Sequence, residues 1–154
     1  MKKIAIVGTG AWGTALAIHG ARAGHAVSLL GYRADIVEDI VRTRAHPSFP
    51  GIDPLPDLIE PTMSPEDAFD GAEAVLWSVS VQWTASELNR LAAYLRSGVP
   101  VISTSKGIEI GTHRRTTQMM ADILGPEVPV AVLSGPTFAS EVARGLPAAA
   151  VVAC

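Results

Sequence analysis

Apolar residues fall along this chain in short continuous runs, separated by longer segments with a helical period. The runs at 3–7, 26–30, 74–79, 100–104, 129–133 and 148–153 predict strands. Strands that are apolar on both faces belong in a sheet covered by helices on each side. Between them, 12–23, 34–43, 64–70, 83–96, 113–124 and 138–144 predict helices. Such alternation predicts right-handed βαβ units, hence an α/β fold with a doubly wound, mostly parallel sheet.

Several boundaries carry their own signals. Gly24 closes the first helix, and His25 leads into the next strand. Ser64-Pro65-Glu66-Asp67 sets a cap before proline at the first helical position, with acid in the first turn. Thr112 is a candidate cap for a helix starting near His113, and Gly125-Pro126 stops that helix. Residues 44–61 break the alternation, because Pro47, Pro50, Pro54, Pro56 and Pro61 leave little room for regular structure. They predict a surface excursion with a short strand near 59–63. The final run, Ala148 to Cys154, reads as a buried strand with nothing after it. The expectation is one domain, 1–154, of a longer protein.

The first strand runs straight into Gly8-Thr9-Gly10-Ala11-Trp12-Gly13, and a helix follows. G-x-G-x-x-G between a strand and a helix is the context of a dinucleotide-binding turn in a Rossmann-like sheet. Gly8 allows the tight turn, Gly10 allows a pyrophosphate close to the backbone, and Gly13 lets the helix lie on the strand. The free N–H groups of the helix start, with its dipole, suit the phosphates. The end of the second strand should meet the adenosine ribose. There Gly31-Tyr32-Arg33 carries no acid at the turn. Arg33 suits a 2′-phosphate or adenine stacking, and Tyr32 can flank the adenosine. This favours NADPH or dual use, while Asp35 keeps NAD in contention.

Composition narrows the setting. The 154 residues are 48% hydrophobic and 18% charged, enough for a core and unlike a disordered chain. A net charge of −3 and a pI near 5.7 give no basic footprint for nucleic acid. The apolar runs are too interrupted to span a membrane. The single cysteine, Cys154, cannot form an internal disulfide, and a cytoplasmic location is the default. His19, His25, His46 and His113 lack metal-ligand spacing and read as surface or cap residues. Trp12, Trp77 and Trp83 read as packing residues, and Asp67 and Asp70 as a solvated face.

Two more loops follow later strands, at the edge where doubly wound sheets hold ligands. In Ser103-Thr104-Ser105-Lys106-Gly107-Ile108-Glu109, Lys106 can turn its ammonium into the cleft toward an anion, and Glu109 can orient it or lie at the surface. In Ser134-Gly135-Pro136-Thr137-Phe138-Ala139, Gly135 permits close backbone approach and Thr137 brings a hydroxyl to a helix start.

These loops, followed by Glu141 and Gly145-Leu146-Pro147, resemble the bacterial NAD(P)-dependent glycerol-3-phosphate dehydrogenases across essentially the whole chain. The resemblance implies an oxidoreductase of glycerophospholipid synthesis that interconverts sn-glycerol 3-phosphate and dihydroxyacetone phosphate. Ala11, Trp12, Tyr32, Arg33 and Ala139 would then contact NAD or NADP. Lys106 would lie between cofactor and substrate, and Gly135 and Thr137 would contact the substrate. A homodimer is one candidate assembly for the full-length enzyme. The family's helical C-terminal domain, with its catalytic lysine, is absent here, so this chain alone is expected to turn over poorly. The chain also has Ser80-Val81-Gln82 where the family typically has proline, a small residue and Gln or His, which bears on the rigidity of that loop. Other possibilities are a related dehydrogenase with another small substrate, or a non-catalytic dinucleotide-binding or sensing module.

Overall fold

The computed structural model describes residues 1–52 and 54–154. A seven-stranded sheet runs in the order β3-β2-β1-β4-β5-β6-β7. Its strands are β1 (Lys3–Val7), β2 (Ala26–Leu30), β3 (Ile59–Thr62), β4 (Ala74–Trp77), β5 (Val101–Ser103), β6 (Val130–Ser134) and β7 (Val151–Ala153). The helices are α1 (Ala11–Arg22), α2 (Ala34–Thr43), α3 (Pro65–Phe69), α4 (Val81–Leu91), α5 (Thr116–Leu124) and α6 (Ala139–Arg144). Each predicted element is present within a few residues of its expected bounds.

Period-two alternation divides the core between the two faces of the sheet. Ala5, Val7, Val75 and Trp77 pack on one side with Phe69 of α3, Leu88 and Leu91 of α4, and Met120 of α5. Ile4, Ile6, Val27 and Leu29 pack on the other with Ile18 of α1, Ile40 of α2 and Ala143 of α6. Apolar residues on both faces of one strand are buried because helices lie above and below. The Ser64 hydroxyl accepts from the Asp67 N–H at 3.1 Å, capping α3 as its sequence predicts.

Register brings the functional loops to one edge. Val7 pairs with Leu30 and with Trp77, Trp77 with Ser103, and Ser103 with Val132. These five residues form a row across the parallel strands. The glycine turn, the Tyr32 turn, Ser78-Val79-Ser80 and the Lys106 loop all leave the sheet just beyond it.

Three expectations are corrected. The final strand is exposed: β7 pairs antiparallel with β6 at the sheet edge, and Val151 and Val152 are 69% and 58% exposed. It pairs on one side only, and α6, the helix that precedes it, packs on α1. The helix predicted from 113 begins at Thr116, because His113 adopts a left-handed φ of +57°. Thr112 does not cap it; its hydroxyl donates to the Glu109 carboxylate. The Arg115 N–H is instead accepted by Gln118 Oε1 at 2.9 Å.

The proline-rich stretch is more than a surface excursion, for Phe49 and Leu55 are buried in the core. Arg44, left-handed at φ +52°, organises it. Its guanidinium donates to the carbonyls of Leu55, Pro56 and Ile59 at 3.1, 2.5 and 2.9 Å. Prolines cannot donate to a ladder, and the guanidinium supplies donors that the backbone of this segment lacks. Pro61 is tolerated in β3 because that strand lies at the edge.

Candidate functional site

The glycine turn continues the sheet before leaving it. The Gly8 N–H donates to the Leu30 carbonyl and the Ser78 N–H to the Val7 carbonyl, each at 2.8 Å. Gly8 has φ +115°, and a Cβ there would lie 2.7 Å from the Ser78 carbonyl oxygen. A Cβ on Gly13 would stand 2.0 Å from the Gly8 carbonyl oxygen, so α1 lies against the turn only because that side chain is missing. Gly10 differs: among the described residues, nothing lies within 4 Å of a Cβ placed there. It is the N-cap of α1, with no side-chain cap and no acid in the first turn. The first-turn amides therefore face neither a capping side chain nor a local carboxylate, as an anion site requires.

Two adjoining basins lie along this edge and share Ser78, Val79 and Ser80. The larger, about 540 Å³, is lined by Gly8, Thr9, Gly10, Tyr32, Trp83 and Glu87 besides the shared residues. The smaller, about 340 Å³, is lined by Trp12, Thr104, Ser105, Lys106, Thr137 and Ala139 among others. They form one groove from the Tyr32 turn, past the glycine turn, to the Lys106 loop. A ligand with two aromatic ends and a charged middle matches this layout.

Lys106 joins the loops at the smaller basin. Its ammonium donates to the carbonyls of Gly135 and Thr137 at 3.2 and 3.4 Å and stands 6.0 Å from the Trp12 ring centroid. Trp12 Nε1 is buried without a hydrogen-bond partner among the described residues. An orphaned donor in the wall of a basin is a position for a ligand acceptor. Gln82 braces the loop from beneath: its Nε2 donates to the Ile108 carbonyl at 3.0 Å, and its Oε1 accepts from the Ile110 N–H at 2.9 Å. Glu109 does not orient Lys106; its carboxylate is engaged by Thr112. The Ser80 backbone has φ −53°, which lies in the range of a proline ring, so serine holds the conformation that the resemblance assigns to proline.

The candidate residues divide into groups. Gly8, Gly10 and Tyr32 share the larger basin, while Trp12, Lys106, Thr137 and Ala139 share the smaller. Gly13 acts in packing. Gly135 does so too: a Cβ on it would lie 2.3 Å from the Ala149 carbonyl oxygen, so the backbone that approaches it closely is the chain's own. Ala11 packs against the core beneath α1. Arg33 turns to Asp35, with Nη2 2.5 Å from Oδ2 and Nε 3.1 Å from Oδ1. Hydrogen bonding to Arg33 holds the Asp35 carboxyl below the ordinary carboxylate range and raises the guanidinium further.

Three site features were not anticipated. Trp83 is 67% exposed and lines the larger basin, unlike the packing residue expected. Ser78 and Thr104 share a hydrogen bond at 2.8 Å that ties the β4 and β5 loops together. His46 is buried, contrary to the surface role expected, and reaches the glycine turn. Small hydroxyl residues just past two adjacent strands were the available signal for the Ser78–Thr104 pair; no local pattern marked His46. Among the described residues, no group of three or more His, Cys, Asp or Glu could hold a metal ion. No helix there is long and apolar enough to cross a membrane.

Comparison with known proteins agrees with this geometry. Residues 3–154 match the family described as NAD-dependent glycerol-3-phosphate dehydrogenase N-terminus. Glycerol-3-phosphate dehydrogenase (NAD(P)+) 2 of Mycobacterium tuberculosis is 45% identical over 98% of this chain and 46% of its own length. The enzyme named glycerol-3-phosphate dehydrogenase (NAD(P)+) in Paramagnetospirillum magneticum is 45% identical over 100% of this chain and 55% of its own. The crystal structure of glycerol-3-phosphate dehydrogenase from Coxiella burnetii superposes with a TM-score of 0.90 at 31% identity, covering 98% of this chain and 46% of that one. The chain thus spans about half the length of the curated relatives it matches. With its glycine turn, its Lys106 loop and its sheet order all in place, the chain belongs to the family of NAD-dependent glycerol-3-phosphate dehydrogenase N-terminal domains.

Proposed function

We propose that residues 1–154 form the cofactor-binding domain of an enzyme that interconverts sn-glycerol 3-phosphate and dihydroxyacetone phosphate with NAD or NADP. The observation that carries this is the Lys106 ammonium at the smaller-basin end of the groove, beside Trp12 and the Thr137 carbonyl. The open cradle at Gly10 and the orphaned Trp12 Nε1 fit a dinucleotide. Gly8, Gly10, Ala11 and Gly13 would build the pyrophosphate turn, Tyr32 and Arg33 the adenosine end, and Trp12, Lys106 and Ala139 the nicotinamide end.

A nicotinamide held there would supply or accept the hydride. The chain's own part is to position the reactants. Lys106 places a positive charge where an anionic substrate meets the cofactor, and its two carbonyl partners fix that charge. Thr137 offers a hydroxyl, and the Gly135 backbone a contact, on the same side. The proton on the substrate's C2 oxygen requires a general acid or base. By family likeness this is a lysine of a helical domain outside these residues, so the chain alone binds cofactor and turns over poorly. A cytoplasmic role in phospholipid synthesis belongs to the same proposal.

The test is separate titration of this chain with NADPH and NADH, read by tryptophan emission. Saturable quenching by either supports the proposal. The absence of binding by both removes it, and so does robust dehydrogenase turnover by the 154 residues alone, as far as the division of labour is concerned.

A further inference from the structure

Among its described residues, the excursion between α2 and β3 contains one buried polar side chain, and it touches the glycine turn. His46 is 6% exposed. Its Nδ1 lies 3.2 Å from the Ser48 N–H, and its Nε2 lies 2.9 Å from the Thr9 carbonyl oxygen. The neighbours fix the tautomer. Ser48 can only donate, so Nδ1 accepts; Thr9 O can only accept, so Nε2 carries the proton and donates. The Phe49 ring packs beside the imidazole, with centroids 5.5 Å apart.

The consequence follows from peptide geometry. In a planar trans peptide, C=O and N–H point in opposite directions. Holding the Thr9 carbonyl toward His46 therefore directs the Gly10 N–H the other way, at the residue where the turn opens onto the larger basin. The Gly8 N–H serves Leu30 and the Gly10 carbonyl serves Thr14. We infer that His46 is a positioning residue for the pyrophosphate of a bound dinucleotide: it sets the Thr9–Gly10 peptide so that the Gly10 N–H faces the ligand. This inference rests on the proposed dinucleotide site. It gives the proline-rich excursion a function, because Phe49 and Leu55 anchor it in the core and hold the imidazole against the turn.

Two substitutions separate positioning from local structure. In His46→Gln, an amide nitrogen lies as many bonds from Cα as Nε2 and can still donate to Thr9. In His46→Asn, the carboxamide oxygen stands in for Nδ1 and keeps the Ser48 contact, but nothing reaches Thr9. NADPH affinity is read by tryptophan quenching, and the Gly10 amide resonance is followed in the ligand-free, nitrogen-15-labelled chain. H46Q should bind within about threefold of wild type, and H46N about threefold to tenfold more weakly with a displaced Gly10 resonance. Equal binding by wild type and H46N, with the Gly10 resonance unmoved, overturns the inference. H46Q binding as weakly as H46N overturns it too, since the lost Thr9 donor would not then be the cause. If wild type itself binds neither NADPH nor NADH, the proposed site fails and the inference with it, a result distinct from equal binding by all variants.

Discussion

The Lys106 ammonium stands 6.0 Å from the centroid of the Trp12 ring and donates to the backbone of the β6 loop at Gly135 and Thr137. One side chain thus links three of the loops around the smaller basin. Lys106→Met keeps the aliphatic stem and removes the charge. The expected loss of folding stability is small, about 0.5–1 kcal/mol, as for an exposed cation–π contact. Because Trp12 loses its cation, its emission should shift in the ligand-free chain. In the full-length enzyme, dehydrogenase activity should fall by about 100-fold or more, as for loss of one positioned charge at a reacting centre. Unchanged activity would remove Lys106 from the substrate site.

Gly10 and Gly13 make opposite predictions within one motif. Gly10→Ala places its Cβ in open space at an ordinary φ of −73°, so the thermal midpoint should hardly move. The methyl group would nevertheless occupy the basin, and dinucleotide affinity should fall at least about tenfold. Gly13→Ala drives a Cβ to 2.0 Å from the Gly8 carbonyl oxygen, forcing α1 off the turn. A loss of about 1–3 kcal/mol or more is expected in chemical denaturation. If the two variants were equally destabilised, the distinction between ligand space and packing space would be wrong.

Asp35 should govern cofactor preference through Arg33. Its carboxyl titrates below the ordinary range when folded, so the pairing contributes above the unfolded value and is lost only as pH falls through the lowered one. At neutral pH the ion pair is intact, and Arg33 must share its guanidinium between Asp35 and any 2′-phosphate. Asp35→Asn should raise the NADPH-to-NADH affinity ratio about threefold to tenfold, and Arg33→Ala should lower it. Parallel titrations decide this; an unaltered ratio in both variants would place the 2′-phosphate elsewhere.

Ser80→Pro should be tolerated. The backbone at 80 already has φ −53°, and proline would restrict the unfolded chain without changing the fold. A gain of about 0.4–1 kcal/mol is expected in denaturant melts. A marked loss would show that the Ser80 N–H or the preceding residue's conformation matters more than φ.

The parts of the site legible in the sequence were those encoded by neighbours along the chain. Gly8 to Gly13 lies within one strand–turn–helix unit, and Lys106 lies in the loop that follows β5. Gly135 shows the limit of such reasoning. Its lack of a side chain was legible as permission for close approach, but the partner is the chain's own Ala149 carbonyl. Trp83 and Trp77 have the same composition signal, yet one is exposed in the groove and the other is fully buried between β4 and α4.

What the sequence by itself determined is the alternation of strand and helix, the two-faced burial of the strands, and the type of turn at residue 8, because these depend on periodicity and local sterics. Tertiary structure alone decided which distant residues meet. It buried His46 against Thr9, faced Arg44 to three carbonyls of a proline-rich segment, turned β7 antiparallel and exposed, and held Lys106 over Trp12. Each depends on strand order and register. These set which loops share an edge, and no local pattern of residues encodes them.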